Sequence, residues 1–426
     1  MLRQTHAERG PMRARLPFVF IVMTLAIDAI GIGLILPVMP SLIAEVSGGA
    51  IADAALWGGV LTTSFAVMQF LCGPALGAAS DRWGRRPVLL VSLVTLGADY
   101  VVMALAGSVW LLLAGRIVGG MAAATYATAA AYIADISPPE RKAANFGLIG
   151  AAFGVGFILG PLIGGLLAEY GTRAPFIAAA ALAFANAAFG WLVLPETVTP
   201  ERRRLIGLAD LNPLGAIRRI GALSGVGVPL AVYFLYEFAM VAYPATWAYF
   251  ATARFGWGPG TIGLSLALFG IAFALVQGGL IRLVLPRLGE RRTILAGLGL
   301  SAAIFVMLAL VADPRLALVL SPMGALGAVV VPSLQGLMSR AVPPDRQGAL
   351  QGVVASARAV SMILGPLVMT SIFFAFTREG AGLHLPGAAF VLSAMLMVVC
   401  GALIVAGGPA RAQAAGETGQ NDRGQA

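Results

Sequence analysis

Charge is scarce in this sequence. Only 11% of its 426 residues are Asp, Glu, Lys or Arg, and 59% are hydrophobic, whereas a typical soluble domain carries about 25% charged residues. So little charge leaves too few groups to keep a folded chain in water, which excludes a soluble globular protein. The composition predicts a protein that crosses a membrane several times.

Cysteine and histidine are also scarce. Cys72 and Cys400 both lie inside apolar stretches and far apart, which favours packed interior residues over a disulfide or a metal site. The two histidines, His6 and His384, lie in a tail and in a predicted loop, so neither a zinc site nor a histidine-based triad is available. We therefore expect neither an enzyme nor a metal-binding protein.

Two further absences narrow the function. The sequence contains no G-x-x-x-x-G-K-[ST] loop, which excludes an ATP-driven pump. The net charge of +9 arises from bases in short loops between apolar runs. These bases form no continuous stripe with interleaved aromatic residues, so we expect no nucleic-acid partner.

Twelve apolar runs fill most of the chain, and each is near or above the roughly 20 residues needed to span a bilayer. They lie at 17–38, 55–78, 87–106, 110–133, 144–168, 174–194, 223–250, 260–285, 293–312, 315–338, 347–376 and 385–407. We therefore predict an all-α membrane protein with twelve transmembrane helices.

A repeat divides these helices into two sets of six. A shift of 205 residues carries Gly84-x-Arg86 onto Gly289-x-Arg291, 138–141 onto 343–346, and Gly160-Pro161 onto Gly365-Pro366. Because each landmark keeps its side of the membrane, the two halves run parallel. We predict a first six-helix bundle at 1–194, a cytoplasmic linker at 195–222, a second bundle at 223–407 and a disordered tail at 408–426.

The distribution of lysine and arginine predicts the orientation. Of the 28 such residues, 22 lie in the tails, the even-numbered loops and the helix ends that flank them, and four lie in odd-numbered loops. Because positive residues collect on the cytoplasmic side, we expect both termini in the cytoplasm.

The stretch 73–87, between helices two and three, combines glycines with a tight cluster of charges. Gly77 lets two helices approach closely. Asp81 can accept hydrogen bonds from backbone amides at a neighbouring helix start and from Arg85 or Arg86. Such a charge-dipole latch would hold one conformation and release in the other. The alternative is a plain positive-inside anchor, which explains the arginines alone.

Helix five carries glycines at helix-face spacing with one proline among them: Gly147, Gly156, Gly160, Pro161, Gly164 and Gly165. The spacing predicts close packing against a neighbour across the boundary between the halves, with a kink at the proline. Generic small-residue packing is the alternative interpretation.

These patterns resemble those of a known family. The stretch 73–87 resembles the signature of the major facilitator superfamily, and Gly147-x8-Gly156-x3-Gly160-Pro161-x2-Gly164-Gly165 resembles its antiporter signature. The likeness extends to the bacterial tetracycline efflux proteins at 25–34, 85–93, 98–100, 131–136 and 194–196. It implies the major facilitator fold in a bacterial cytoplasmic membrane, with a metal-chelated tetracycline exchanged outward for protons, no cofactor beyond the proton gradient, and a monomer.

Ionisable side chains deep in the apolar runs indicate function, because a charge at the bilayer centre costs at least about 2.5 kcal/mol. Asp28 lies about 15 Å deep, near the midplane where transporters bind substrates and coupling ions. Asp99 and Arg116 lie about 10 Å deep and could pair. We assign proton binding to Asp28, with the other two setting the field around it. A structural Asp28 bonded to a neighbouring helix is the alternative.

Glu237 of helix seven and Arg358 of helix eleven both lie near mid-depth and are expected to pair, since either charge alone would cost more. We place them in the substrate cavity with Gln69 and Gln277, which match polar positions of the tetracycline exporters. Each glutamine could equally bond one helix to another.

The chain also departs from the tetracycline exporters. Glu237 and Arg358 stand where that family has Gln and an uncharged residue. Ser301 and Phe273 stand where it has an aspartate and a histidine. The sequence therefore predicts proton-coupled export of a drug-like molecule. Transport of an endogenous metabolite or sugar is the first alternative, and a non-transporting membrane sensor is the second.

The topology can be checked with a reporter inserted near Gly380. We expect a periplasmic signal there, because the loop lies between two helices on the side poor in lysine and arginine. Reporter-enzyme activity or tag labelling from outside intact cells measures it. A cytoplasmic signal would contradict the predicted orientation.

Overall fold

The computed structural model of the chain describes residues 11–123, 125–199, 207 and 225–406. Within those residues the regular structure is entirely helical. The predicted tail at 408–426 and most of the predicted linker at 195–222 lie outside the described residues.

The first half contains eight helices that form six spans. They are α1 (Pro11–Ile35), α2 (Met39–Ser47), α3 (Ile51–Trp83), α4 (Arg85–Leu105), α5 (Val109–Ala122), α6 (Thr125–Ile136), α7 (Lys142–Leu167) and α8 (Ala174–Val193). The short helix α2 follows α1 after a turn, and α5 and α6 together form a single span.

The second half repeats this order. Its helices are α9 (Gly227–Met240), α10 (Ala242–Phe255), α11 (Pro259–Leu275), α12 (Ile281–Leu310), α13 (Pro314–Met323), α14 (Val330–Arg340), α15 (Gln347–Thr377) and α16 (Ala388–Ala406). A π-helical turn, Val276–Leu280, joins α11 to α12.

Two glycines at corresponding places separate consecutive spans. The described residues contain 11 helical stretches long and apolar enough to cross a membrane, and one of them, Pro259–Leu310, has 52 residues. That stretch breaks at Gly289, where φ is 73° and ψ is 166°. Gly84 ends α3 in the same way, with φ 113° and ψ 155°. Since glycine alone adopts such angles without strain, both breaks need it, and the described chain has the twelve predicted spans.

Other landmarks of the repeat also coincide. Short 3₁₀ turns at Pro139–Arg141 and Pro344–Arg346 precede α7 and α15, and each of these helices contains the proline of its Gly-Pro pair. In the first half Pro74 lies inside α3, and the π turn covers the matching position of the second half. The two parallel six-helix repeats are therefore confirmed.

Three glycines of α7, spaced four residues apart, face α1. A Cβ built on Gly156 would overlap the Ala26 carbonyl oxygen, and one built on Gly160 would lie 2.7 Å from Gly33 Cα. Gly164 meets the backbone of Leu34 in the same way. The prediction that this stripe packs across the two halves is therefore wrong for these residues. Residues four apart lie on one face of a helix. In α7 this face is turned towards α1, which belongs to the same half.

Contact between the halves concentrates at one end of the bundle, which we name the closed side. There α7 meets α11, and a Cβ built on Gly165 would lie 2.7 Å from the Pro259 carbonyl oxygen. Gly263 meets the Pro161 carbonyl oxygen. On the other face of the bundle, Thr63 of α3 donates a hydrogen bond to the Ile363 carbonyl oxygen of α15 at 2.9 Å.

The opposite end, which carries Gly84 and Gly289, is the open side. Cβ atoms built on Gly77, Gly147 or Gly278 would meet nothing within 4 Å. The contacts between the halves described above lie towards the closed side, which indicates a cleft between the halves that opens towards the open side.

Candidate functional site

Asp28 lies on α1 inside the first half. Its residue is 9% exposed, and its Oδ1 atom is buried with no hydrogen-bond partner among the described residues. The Thr125 side chain, at the start of α6, is close enough to interact with the carboxyl group. No basic side chain of the described chain pairs with Asp28. This carboxyl group can therefore bind a proton without first breaking an ion pair.

Asp99 of α4 and Arg116 of α5 form an ion pair, with Oδ2 as the acceptor and a terminal guanidinium nitrogen as the donor. The Asp99 side chain is 0% exposed and that of Arg116 is 10% exposed. The guanidinium carbon also lies 5.0 Å from the ring centroid of Phe65, a cation–π distance. Pairing removes the cost of two isolated buried charges.

Two glycines of α5 make room for this pair. A Cβ built on Gly119 would lie 2.6 Å from Asp99 Oδ2, and one built on Gly115 would lie 2.9 Å from Asp99 Oδ1. Sequence reasoning missed both glycines. Their signal is the spacing Gly115-Arg116-x2-Gly119, which puts small residues beside the arginine on one helix face.

The three residues assigned to proton coupling therefore fall into two groups. Arg116 pairs with Asp99, and Asp28 pairs with no basic side chain among the described residues. Such an arrangement provides one protonatable group and one ion pair already neutralised within itself.

The predicted latch lies at the open side, between α3 and α4. Asp81 Oδ1 accepts from an Arg85 guanidinium nitrogen at 2.5 Å. Arg85 also reaches Ser80 Oγ at 2.5 Å and Asp135 Oδ2 at 3.4 Å. Arg86 donates to the Trp191 carbonyl oxygen at 2.6 Å.

The carboxylate at the start of α4 is Glu196, which follows α8, whereas Asp81 pairs with the Arg85 side chain in this conformation. The backbone amides of Arg85 and Arg86 donate to Glu196 at 2.9 and 3.1 Å. An acidic group is stabilised at a helix start by the unpaired amides and the helix dipole. Residues 194–196 belong to the stretches that resemble the tetracycline exporters, but nothing in their spacing indicates this partner.

The second half has an ion pair at the matching positions, with the signs of the two charges exchanged. Glu290 of α12 and Arg340 of α14 form an ion pair. The repeat offset of 205 places them on Arg85 and Asp135, whose charges are opposite. Arg291, the counterpart of Arg86, likewise donates to the carbonyl oxygens of Ile404 at 3.3 Å and Val405 at 3.0 Å.

In the second half, Glu237 and Arg358 lie beside each other, with Glu237 Oε2 3.5 Å from Arg358 Nε. Gln277 lies in the π turn that joins α11 to α12. In the first half, Gln69 donates to the Ala123 carbonyl oxygen at 3.2 Å. This glutamine therefore bonds one helix to another, which was the alternative weighed for it.

Ser301 and Phe273, the other two positions that depart from the tetracycline exporters, have different surroundings. Ser301 is 2% exposed, and a Cβ built on Gly327 would overlap its hydroxyl. Phe273 is 41% exposed and stacks on Phe269 with the ring centroids 6.4 Å apart. Close packing around Ser301 leaves no space for a larger acidic side chain.

Comparison with known proteins gives consistent results. The model of the Major Facilitator Superfamily matches residues 21–366. The tetracycline resistance protein of class C from Escherichia coli is 40% identical over 390 residues, which cover 91% of this chain and 96% of that protein. That of class G from Vibrio anguillarum is 36% identical and covers 89% and 94%. The crystal structure of the human organic anion transporter MFSD10 is similar with a TM-score of 0.66 and 26% identity over 92% of this chain and 99% of that one.

Two substitutions distinguish the role of Glu196, which caps the start of α4, from the role of Asp81 in the predicted latch. Glu196→Ala should lower the free energy of unfolding by about 1 kcal/mol, because it removes the acceptor of two helix-start amides. Asp81→Asn should lower it by no more than about 0.5 kcal/mol, because the pair with Arg85 is partly exposed. Thermal unfolding in detergent measures both. Equal losses would contradict the assignment of the cap to Glu196.

Proposed function

We propose that this chain, which belongs to the major facilitator superfamily of transporters together with the tetracycline resistance proteins, exports a tetracycline-like drug in exchange for protons. The single observation that supports coupling is Asp28, a buried carboxyl group with one unpaired oxygen. Its basic neighbour in the same bundle, Arg116, is already neutralised by Asp99.

The cleft provides the route for the substrate. In this conformation the halves touch at the closed side and diverge at the open side. The open side carries most of the lysine and arginine, so we assign it to the cytoplasm of a bacterial cell, with both termini there. The structure then corresponds to the state that loads a drug from the cytoplasm. A tetracycline would enter as a metal chelate, with the cation part of the substrate.

Proton exchange follows from alternating exposure of Asp28. When the cleft opens outward, a proton from outside neutralises the carboxylate and weakens its hold on a cationic substrate. When it opens inward, the proton leaves to the cytoplasm and the negative charge returns. Each ligand changes the balance between the two conformations only through its different affinity for them.

The arrangement of the predicted latch around Asp81 supports this cycle. A Cβ built on Gly77 would meet nothing within 4 Å, and Asp81 pairs with Arg85 of its own half. The latch would therefore be released in the present conformation and would engage the second half when the open side closes. On this proposal Asp81→Asn slows transport without loss of folded protein.

A drug-susceptibility panel that includes tetracycline tests the function. The chain is expressed in a bacterial host stripped of its own efflux pumps. We expect tolerance to tetracycline to rise, and to fall back to the level of the empty vector with Asp28→Asn. Unchanged tolerance to every drug, with the protein present in the membrane, would favour transport of an endogenous metabolite.

The coupling residue can be identified in liposomes. Asp28→Asn should abolish uphill drug transport driven by a pH gradient, because the cycle requires a group that binds and releases a proton. Glu237→Gln should bind the drug more weakly but should still couple its transport to the pH gradient, because Glu237 is paired with Arg358 and is not the group that we assign to proton exchange. Drug flux is measured for both variants side by side. Full transport by Asp28→Asn with loss in Glu237→Gln would place coupling in the second half.

A further inference from the structure

The ion pair between Glu237 of α9 and Arg358 of α15 is loosely closed. The single contact joins Oε2 to Nε at 3.5 Å, whereas charge-assisted hydrogen bonds are about 2.7–2.9 Å long. Within the described part of the chain, Glu237 is the one ionic partner of this guanidinium. Most of the N–H donors of Arg358 therefore remain available to a ligand.

The two side chains differ in exposure. Arg358 is 63% exposed and Glu237 is 17% exposed. The contact between Thr63 and Ile363 closes the halves nearby, and Arg358 lies about 7.5 Å from it towards the open side, at about 1.5 Å per residue. A guanidinium exposed to lipid at this depth would be costly, so its exposed part faces the water of the cleft.

The pair is not a second copy of the proton site. The repeat offset of 205 places Tyr233 at the position of Asp28. Tyr233 is buried and close enough to interact with the Gln335 side chain. The second half therefore has a neutral phenol where the first half has its carboxyl group, and its charges lie one helical turn further along α9, next to the cleft.

A purely structural role does not account for this geometry. A pair that holds two helices together in a low-dielectric interior needs tight contacts and burial of both partners, because the loss of hydration must be offset. Asp99 and Arg116 satisfy this requirement, with exposures of 0% and 10%. Between α9 and α15 the direct link is instead supplied by Ser361, which donates to the Phe234 carbonyl oxygen at 3.2 Å.

We propose that Glu237 and Arg358 form a subsite for a zwitterionic head group, in which an ammonium group lies beside a delocalised anion. The ammonium would bind the Glu237 carboxylate, and the anion would take the unused donors of Arg358. Two charge-assisted contacts then replace one loose contact, and the net charge in the cleft is unchanged. The inference rests on the proposed function, since tetracyclines carry a dimethylammonium group next to an ionised tricarbonyl system on one ring.

The test compares two ligands that differ in one charge. Tetracycline and 4-dedimethylaminotetracycline share the ring system and the anion, and the second lacks the ammonium. Equilibrium binding to the purified full-length protein is measured in detergent. We expect the wild type to bind tetracycline about tenfold more tightly than the analogue, a difference that corresponds to one charge-assisted contact of about 1.4 kcal/mol.

The variants assign the contact to its residue. Glu237→Gln should bind the two ligands equally, and Arg358→Gln should weaken both by a similar factor. Glu237→Asp keeps the carboxylate and should keep the preference, so the test stands if Glu237→Gln fails to fold. Asp28→Asn should also keep it. The control is Glu45→Gln, which breaks the pair of Glu45 with Arg173 outside the cleft and should bind like the wild type.

Each outcome is decisive. A wild type that binds both ligands equally, or a Glu237→Gln variant that keeps the preference, overturns the subsite while the proposed function stands. An equal loss for both ligands in Glu237→Gln shows a structural role and also overturns it. If the wild type binds and transports no tetracycline, the proposed function fails and the subsite falls with it.

Discussion

The energetic cost of charge in a hydrocarbon layer determines how the functional groups of this chain are arranged. Three arrangements of charged side chains occur within the spans. Asp99 and Arg116 are buried and closed on each other. Glu237 and Arg358 are joined loosely, with the guanidinium exposed. Asp28 has no basic partner in the described chain and is the group for which the neutral, protonated form removes the cost. On the proposals made above, the tight pair is part of the scaffold, the loose pair is the substrate site and the lone acid is the proton site.

Close backbone contacts make the alternation between conformations physically reasonable. At the closed side, α7 and α11 approach until the Pro161 carbonyl oxygen fills the space where Gly263 lacks a side chain. The attraction there comes from packing, because lipid gives no hydrophobic driving force between helices. Towards the open side α3 contains Pro74 and α11 continues into the π turn. Such irregular turns are places where a membrane helix bends, so they would serve as hinges at matching positions if one half rocks against the other as proposed.

The two halves preserve geometry more strictly than residue identity. The pair of Arg85 with Asp135 becomes Glu290 with Arg340, so the ion pair survives while each partner exchanges its sign. An ion pair depends on the product of the two charges, which the exchange leaves unchanged. The backbone acceptors of Arg86 and Arg291 are carbonyl oxygens, and these are present whatever the side chain. Contacts of this kind can persist between repeats that share few residues.

The sequence alone predicted the class of protein, the number of spans, the repeat and the depth of each charge. These follow from composition and from the constant rise along a helix, which converts position in the chain into distance across the membrane. It therefore anticipated that Asp99 could meet Arg116 and that Glu237 could meet Arg358. Only the tertiary structure decided which way each helix face turns. In the structure, three glycines of α7 pack against α1, the first backbone amide of α4 donates to Glu196, and Arg358 is exposed in the cleft. Rotation about a helix axis and the choice of neighbour depend on packing against distant segments, which no local pattern of residues records.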